Sequence, residues 1–454
     1  MAKQATKPDF TSGKILKNLI SFAIPMAIAT LLQIFFNAAD IAIVGQFAGS
    51  QYQAAVGATS STVHLIVNLF IGISIGANVA MSHAFGAKDE EKQRRVVHTA
   101  MATAFASGFI TLFIGIVLSH PILSAIKTPD SILKYSVLYM QIYFLGAPAL
   151  MIYNFGASLL RAIGETKKPL YYLLVSGLLN LIINVVTVVF FHWHVVGVAL
   201  GTTISQYVSA IWIVLDLSRA KDSTKYTIKH TRFYKAELKK ILYIGVPMGV
   251  SSCLFSFSNL SIQSSVNAYG DVAIAGNTVS SNVETMIDAF TGSVEKAVVT
   301  IVGQNMGAKK PQRLHRIIGA GAVACLCCEV VYITLTLTAG NYVCMLFNRD
   351  SIVVEWALKR LMIMSLSHFC AVLMLTYGAA LRGMGYSMFP MLINLVFTCL
   401  VRIAYIFLIY ANFETQTIQQ VYIIYPITWI MSGIMQTLAF YLIAKPRAMR
   451  QMQK

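Results

Sequence analysis

One carboxylate, Asp40, lies inside a long run of apolar and small residues, "FFNAADIAIVGQF" at 35–47. Placing an isolated charge in hydrocarbon costs several kcal/mol unless the group is protonated or paired, so such a carboxylate is a functional candidate by default. The alternative is a side chain that is simply hydrated at the end of its helix. We expect Asp40 to bind and release a proton.

Further polar side chains in the same half of the chain could complete a site around Asp40. They are Asn154, Asn180, Asn184 and Thr202. Asn180 and Asn184 are four residues apart, which places both on one face of a helix. Several oxygen atoms together suit a small cation, but each asparagine alone serves equally well in ordinary hydrogen bonding between helices.

A second group of carboxylates lies in "SSNVETMIDAFTGSVEKAVV" at 280–299. At 100° per residue, Glu284, Asp288 and Glu295 fall within roughly 40° of one helical face. Two interpretations are open. The acidic stripe binds a cation or a cationic substrate, or it belongs to a structural network with Lys296 or Arg402.

The elements that carry these residues are those of a membrane protein. The 454-residue chain is 57% hydrophobic and 12% charged, about half the charge of a soluble protein, and its mean hydropathy is +0.67. Its apolar blocks have the length of membrane-spanning helices. We predict an all-α membrane protein with twelve transmembrane helices, near 18–44, 55–85, 95–120, 131–160, 170–192, 195–219, 241–268, 274–306, 314–340, 353–381, 388–410 and 420–444.

Most of the basic residues that give the formal net charge of +17 lie on one side of the predicted membrane topology. The tails and every second connection are basic, the longest being "RAKDSTKYTIKHTRFYKAELKK" at 219–240, whereas "QFAGSQYQ", "FHWH" and "NAYGD" contain no lysine or arginine. The positive-inside rule then places both termini in the cytoplasm. The basic excess therefore predicts no nucleic-acid partner.

The two halves of the chain repeat each other. "IPM" at 24–26 returns as "VPM" at 246–248, "FGAK" at 85–88 as "MGAK" at 306–309, and "LRAIGETKKP" at 160–169 as "LRGMGYSMFP" at 381–390. Parallel repeats of six spans predict two lobes related by a pseudo-twofold axis around a central cavity. The predicted segments are an N-terminal tail (1–17), an N lobe (18–219), a basic linker (220–240), a C lobe (241–444) and a C-terminal tail (445–454).

Pro25 and Pro247 interrupt the first and seventh spans at equivalent positions of the repeat. Proline removes a backbone donor and kinks a helix. The kink is either static or a point of bending during function.

The sequence offers no signature of an enzyme or a cofactor. No G-x-x-x-x-G-K-[ST] phosphate loop is present, so the energy for transport would come from an ion gradient. "CLCC" at 325–328 lacks a histidine or carboxylate at ligand spacing, and the nine histidines are scattered. We therefore expect no metal, no cofactor and no enzymatic activity.

These motifs together resemble the multidrug and toxic compound extrusion (MATE) transporters. The resemblance rests on "IPMAIATLLQIFFNAADIAIVGQFAG", "FGAKD", "RAIGETKKP" and "VGQNMGAKK" and covers essentially the whole chain. It implies export of amphipathic, often cationic compounds in exchange for H⁺ or Na⁺. It also implies an ion-coupling site at Asp40, Asn154, Asn180, Asn184 and Thr202, and bending of the first span at Pro25.

The sequence departs from the family pattern in two ways. Asn184 stands where many members have a second aspartate, and the span-7 glutamate of the sodium-coupled branch has no match in "CLFSFSNLSIQSSVN" at 253–267. Both departures weaken the expectation of a sodium site, whereas Asp40 can still bind a proton, and the coupling ion stays open between H⁺ and Na⁺.

We interpret the chain as a secondary active multidrug antiporter of the plasma membrane that works by alternating access. Its expected partners are amphipathic cations and membrane lipids, and we expect it to act as a monomer. The rival interpretation is a flippase for a lipid-linked saccharide, of the same superfamily. The charged residues named above within the predicted spans are mostly acidic, which favours cationic cargo.

Overall fold

The computed structural model describes residues 8–453 of the chain. Residues 1–7 and Lys454, at the ends of the two predicted tails, lie outside the described residues. Every long element that the structure describes is a helix, as the composition predicts. Thirteen of them carry the architecture: α1 (Ile15–Ala48), α2 (Ser50–Gly86), α3 (Glu90–Ala125), α4 (Asp130–Leu145), α5 (Ala147–Ala162), α6 (Lys167–Phe190), α7 (His194–Arg219), α8 (Lys235–Asn267), α9 (Asp271–Gly307), α10 (Pro311–Met345), α11 (Ser351–Gly383), α12 (Met388–Asn412) and α13 (Ile418–Arg450).

Ten of these helices, among the residues that the structure describes, are long and apolar enough to cross a membrane. The count rises to eleven when α4 and α5, which meet at an angle of 47°, form one span. Helix α9 has 37 residues and therefore the length of a span, but it carries Glu284, Asp288, Glu295 and Lys296. It corresponds to the predicted span 274–306, and the count of twelve spans stays a prediction.

The helices form two compact units. One contains Ile28–Gly249, and the other contains Phe10–Ala27 together with Val250–Lys454. The division therefore passes through the interior of α1 and of α8. Pro25 lies two residues before the division in α1, and Pro247 lies two residues before the division in α8.

The lobes predicted from the sequence, 18–219 and 241–444, follow the order of the spans, and their boundaries stay a prediction. The compact units differ from them in two stretches. Residues 18–27 group with the second unit, and residues 241–249 group with the first.

Glycines let the helices of the first unit approach closely. A Cβ atom at Gly72 would lie 2.2 Å from the backbone nitrogen of Gly249, and one at Gly76 would lie 2.2 Å from the carbonyl oxygen of Ile241. Helices α2 and α8 therefore touch backbone to backbone, as small residues permit in membrane helices. No larger side chain fits at this crossing.

Two further glycines bring α1, α6 and α7 together. A Cβ at Gly177 of α6 would lie 1.9 Å from the ring of Phe36 in α1, and one at Gly201 of α7 would lie 2.0 Å from Asn184 Oδ1 in α6. The polar side chains of these three helices consequently meet at one place.

Candidate functional site

Asp40 lies at the centre of a polar cluster built by α1, α6 and α7. Its side chain is buried, with 8% of its surface exposed. Asn184 Nδ2 donates a hydrogen bond to Asp40 Oδ1 at 2.6 Å, and Thr202 Oγ1 donates to Oδ2 at 3.5 Å. The carboxylate is thus surrounded by neutral donors.

Asn180 adds a further hydrogen bond to this cluster. With its amide turned so that donors face acceptors, Asn180 Nδ2 donates to Asp40 Oδ1 at 2.9 Å and its oxygen accepts from the Thr202 backbone nitrogen at 3.1 Å. In the opposite orientation Asn180 Nδ2 donates to Thr202 Oγ1 at 3.3 Å. Hydrogen bonds to a charged acceptor contribute about 1.5–3 kcal/mol each, so this ring of donors stabilises an ionised Asp40.

The structure brings together four of the five residues that the sequence nominates. Asn154 of α5 is the exception, because its amide donates to the Leu150 carbonyl oxygen of its own helix at 2.8 Å. Among the described residues Asn184 Oδ1 is buried without a hydrogen-bond partner. Amide nitrogens rather than amide oxygens therefore face the Asp40 carboxylate.

Both helices that carry the main contacts change their winding just beyond the site. The α-helical part of α1 ends at Ile43 and continues as a π-helix over Val44–Ala48, and α6 does the same over Val186–Phe190. Such π-helical turns occur frequently at functional sites. The sequence carries no signal from which we could predict them.

The acidic stripe of α9 lies in the second unit, and each carboxylate has a basic partner. Arg360 of α11 donates to Glu284 at 2.7 Å, and Arg382 of α11 is paired with Glu295. His368 Nε2 lies 3.6 Å from Asp288 Oδ1. Nothing in the sequence marks these three basic residues as partners of the stripe.

Arg402, which the sequence leaves open as a partner of the stripe, has other contacts. It donates hydrogen bonds to Thr428 Oγ1 at 3.0 Å and to Ser258 Oγ at 3.4 Å, and its guanidinium lies 4.4 Å from the ring centre of Tyr425. The predicted pairing of Arg402 with the stripe is wrong. Helix rotation, which a sequence does not define, turns Arg360 rather than Arg402 toward α9.

Comparison with protein families identifies the repeat. The MatE family model matches residues 25–186 and matches again at 247–408. Two matches of equal length, each beginning at the proline of its half, confirm the internal duplication. Together they cover more than half of the chain.

Curated relatives resemble the chain over most of its length. The probable multidrug resistance protein YpnP of Bacillus subtilis (strain 168) is 25% identical over 306 residues, which are 67% of this chain and 68% of YpnP. The multidrug export protein MepA of Staphylococcus aureus (strain NCTC 8325 / PS 47) is 25% identical over 348 residues, 77% of each chain.

Solved structures share the fold. A MATE protein crystallised in a bent conformation superimposes with a TM-score of 0.90 at 18% identity, covering 98% of both chains. A MOP superfamily transporter from Pyrococcus furiosus Vc1 (DSM3638) also gives a TM-score of 0.90 at 18% identity, covering 100% of both chains. The repeated family match, together with this fold, shows that the chain belongs to the MatE family of multi-pass membrane transporters, which are not enzymes.

Proposed function

We propose that the protein is a multidrug exporter of the plasma membrane that exchanges amphipathic cations for protons by alternating access, with Asp40 as the coupling carboxylate and both termini in the cytoplasm. The buried, hydrogen-bonded geometry of Asp40 carries the proposal. The names of its relatives, a multidrug export protein and a probable multidrug resistance protein, support the substrate class.

Protonation of Asp40 would change the contacts of three helices at once. The ionised carboxylate accepts hydrogen bonds from Asn184 and Asn180, whereas a protonated carboxyl group becomes a donor and needs an acceptor. At least one amide then has to turn its oxygen toward Asp40. Proton binding therefore alters the packing of α1 against α6 and α7, which is the differential affinity that shifts a two-state equilibrium.

The same geometry supports H⁺ over Na⁺ as the coupling ion. A sodium ion needs several oxygen ligands, but the amide nitrogens of Asn180 and Asn184 face the carboxylate. Asn154 donates within its own helix and would have to rotate before it could act as a ligand. A proton on Asp40 needs only one of these oxygens, as its hydrogen-bond acceptor.

Pro25 is the proposed bending point of α1. The α-helix runs through Pro25 without a break, and the division between the two compact units passes through α1 just beyond it. A proline there removes one backbone hydrogen bond and lowers the cost of a kink. Bending at this residue would transmit a change at Asp40 along the helix.

Asp288 is the proposed contact for cationic cargo in the acidic stripe. Glu284 and Glu295 are each paired with an arginine and are mostly buried, whereas 60% of the Asp288 side chain is exposed. Of the three carboxylates, Asp288 is therefore the one whose charge a bound cation can reach.

The test is ethidium efflux from vesicles that contain purified protein, with a proton gradient or a sodium gradient imposed separately. We expect proton-driven efflux in the wild type and at least a tenfold loss in Asp40→Asn. The matched control is Asp130→Asn, which removes an exposed carboxylate from the first turn of α4 and should retain efflux.

Two outcomes would overturn the proposal. Sodium-driven efflux that survives Asp40→Asn would move ion coupling away from α1. Failure to move any cation, together with transport of a lipid-linked saccharide, would favour the flippase.

A further inference from the structure

A second cluster of titratable side chains lies in the second unit, and the mechanism above uses only its Asp288, as a contact for cargo. His368 Nδ1 lies 2.8 Å from Glu329 Oε1, and His368 Nε2 lies 3.6 Å from Asp288 Oδ1. Three helices, α9, α10 and α11, each contribute one of these residues. The imidazole thus connects two carboxylates through its two nitrogen atoms.

The three residues form a series from exposed to buried. The side chain of Asp288 is 60% exposed, that of His368 is 12% exposed and that of Glu329 is 1% exposed. An ionisable side chain as exposed as Asp288 is retained in an apolar helix where water reaches it. The series therefore leads from water to a buried carboxylate.

The buried end of the series is incompletely hydrogen-bonded. Within the part of the chain that the structure describes, Glu329 Oε2 and the neighbouring Tyr332 hydroxyl are both buried without a partner. An unpartnered carboxylate oxygen in a low-dielectric site is costly when the group is ionised, and a cation beside Glu329 lowers that cost.

The charges around the cluster do not balance without a proton. Arg360 pairs with Glu284, and His368 is the basic side chain in contact with both Asp288 and Glu329. Arg402 lies over the Tyr425 ring and donates to neutral hydroxyls. A neutral imidazole at His368 thus leaves two carboxylate charges uncompensated, and a proton on the imidazole compensates one of them.

A metal ion is a poorer explanation of this arrangement. The described residues contain no group of three or more His, Cys, Asp or Glu side chains that could hold a metal. The imidazole separates the two carboxylates instead of converging with them on one point, as metal ligands must.

His368 also lies where α11 changes its winding. The α-helix Ser351–Ser367 ends there, a 3₁₀ turn spans His368–Cys370, and the next α-helix begins at Ala371. A 3₁₀ stretch within a longer helix often marks a hinge. A charge change at His368 would consequently act on the break itself.

We propose that Asp288 and His368 form a proton relay that gives the transporter a second proton-binding site, in which His368 holds the proton as an imidazolium against the Glu329 carboxylate. A proton from water binds Asp288 and passes to His368 Nε2 when the exposed carboxylate closes the 3.6 Å gap. The imidazolium keeps its Nδ1 proton in a hydrogen bond to Glu329 Oε1. The proposal rests on the proposed proton coupling for its role in transport, but the site itself can be tested without transport.

Trp429 of α13 supplies the probe. Its ring centre lies 5.1 Å from that of His368, and an imidazolium quenches indole fluorescence more strongly than a neutral imidazole does. The chain has four tryptophans. Replacing Trp193, Trp212 and Trp356 by phenylalanine leaves Trp429 as the only reporter in an otherwise complete protein.

The experiment is a pH titration of Trp429 fluorescence in purified, substrate-free protein. We expect quenching as the pH falls and a flat response in His368→Gln. Glu329→Gln should move the midpoint to lower pH by about one unit, because the imidazolium loses its nearest anion. The control is Glu355, an exposed residue of α11, the helix that carries His368, where it pairs with Lys359. Glu355→Gln should leave the curve unchanged.

The outcomes separate this proposal from the proposed function. A titration that does not change in His368→Gln or in Glu329→Gln overturns the relay, whatever ethidium efflux does. If the fluorescence behaves as expected and proton-driven efflux is absent from the wild type, the proton site stands and the proposed function fails. Because Glu329→Gln and Asp288→Asn keep the side-chain shape, they test the site even if His368→Gln does not fold.

Discussion

The two halves of the repeat differ most where each has an interrupted span. Arg161 and Arg382 are equivalent positions of the repeat and are 221 residues apart. The same offset makes Gly108 equivalent to Glu329 and Ala147 equivalent to His368. In the first half α4 and α5 meet at 47° at this place, and a Cβ at Gly108 would lie 2.6 Å from Pro148 Cα. At this place the first half has a close backbone contact between α3 and α5, whereas the second half has a carboxylate and an imidazole.

The carboxylates of the two halves are also stabilised differently. Asp40 is held by neutral amide and hydroxyl donors, whereas the carboxylates of α9 and α10 face arginine and histidine. A carboxylate that has only neutral donors can gain or lose a proton while the surrounding amide groups rotate. A carboxylate paired with arginine cannot, because the arginine stays charged. Duplication thus supplied one scaffold for two kinds of polar site.

The largest expected effect comes from removing a buried cation in the second half. Arg360→Gln leaves Glu284 without its counter-ion in a site where their side chains are only 8% and 13% exposed. Breaking a buried pair in this way costs about 3–5 kcal/mol. We expect a clear loss of thermal stability in detergent micelles.

The adjacent residue provides the control for Arg360→Gln. Lys359 forms an ion pair with Glu355 whose side chains are 36% and 66% exposed, and exposed pairs contribute about 0–1 kcal/mol. Lys359→Gln should therefore unfold close to the wild type. Equal destabilisation by the two substitutions would refute the view that the second half depends on buried ion pairs.

A smaller effect is expected from disturbing the backbone contact of the first half. Gly108→Ala places a Cβ 2.6 Å from Pro148 Cα, and such overpacking costs about 1–3 kcal/mol. At Gly57 of α2 a Cβ would meet nothing within 4 Å, so Gly57→Ala should be neutral or stabilising. Thermal unfolding of the two variants measures the difference, and a neutral Gly108→Ala would show that the halves do not differ in this way.

The smallest effect concerns the weakest contact of Asp40. Thr202 Oγ1 lies 3.5 Å from Asp40 Oδ2, at the limit of a hydrogen bond, whereas Asn184 Nδ2 lies 2.6 Å from Oδ1. Thr202→Val should lower proton-driven ethidium efflux only a few-fold, because it removes about 1 kcal/mol. Asn184→Leu, measured in parallel, should be clearly more damaging. A reversed order would mean that the hydroxyl, rather than the amide, governs the charge of Asp40.

The sequence by itself determined the fold class and the most informative single residue. Low charge, apolar blocks of span length and the recurring motifs are local properties, so they identify a duplicated helical membrane protein without knowledge of any contact. Asp40 stood out for the same reason, since one carboxylate in an apolar run is visible in the chain. The spacing of Asn180 and Asn184 also placed them correctly on one face.

Only the tertiary structure decided which side chains meet. Asn154 shares the polarity of the cluster around Asp40 yet bonds within its own helix, and Arg360 rather than Arg402 pairs with Glu284 of the stripe. The His368–Glu329 contact joins residues 39 positions apart on different helices. Such partners depend on the rotation and depth of each helix, which packing against neighbours defines and which periodicity along one helix leaves open.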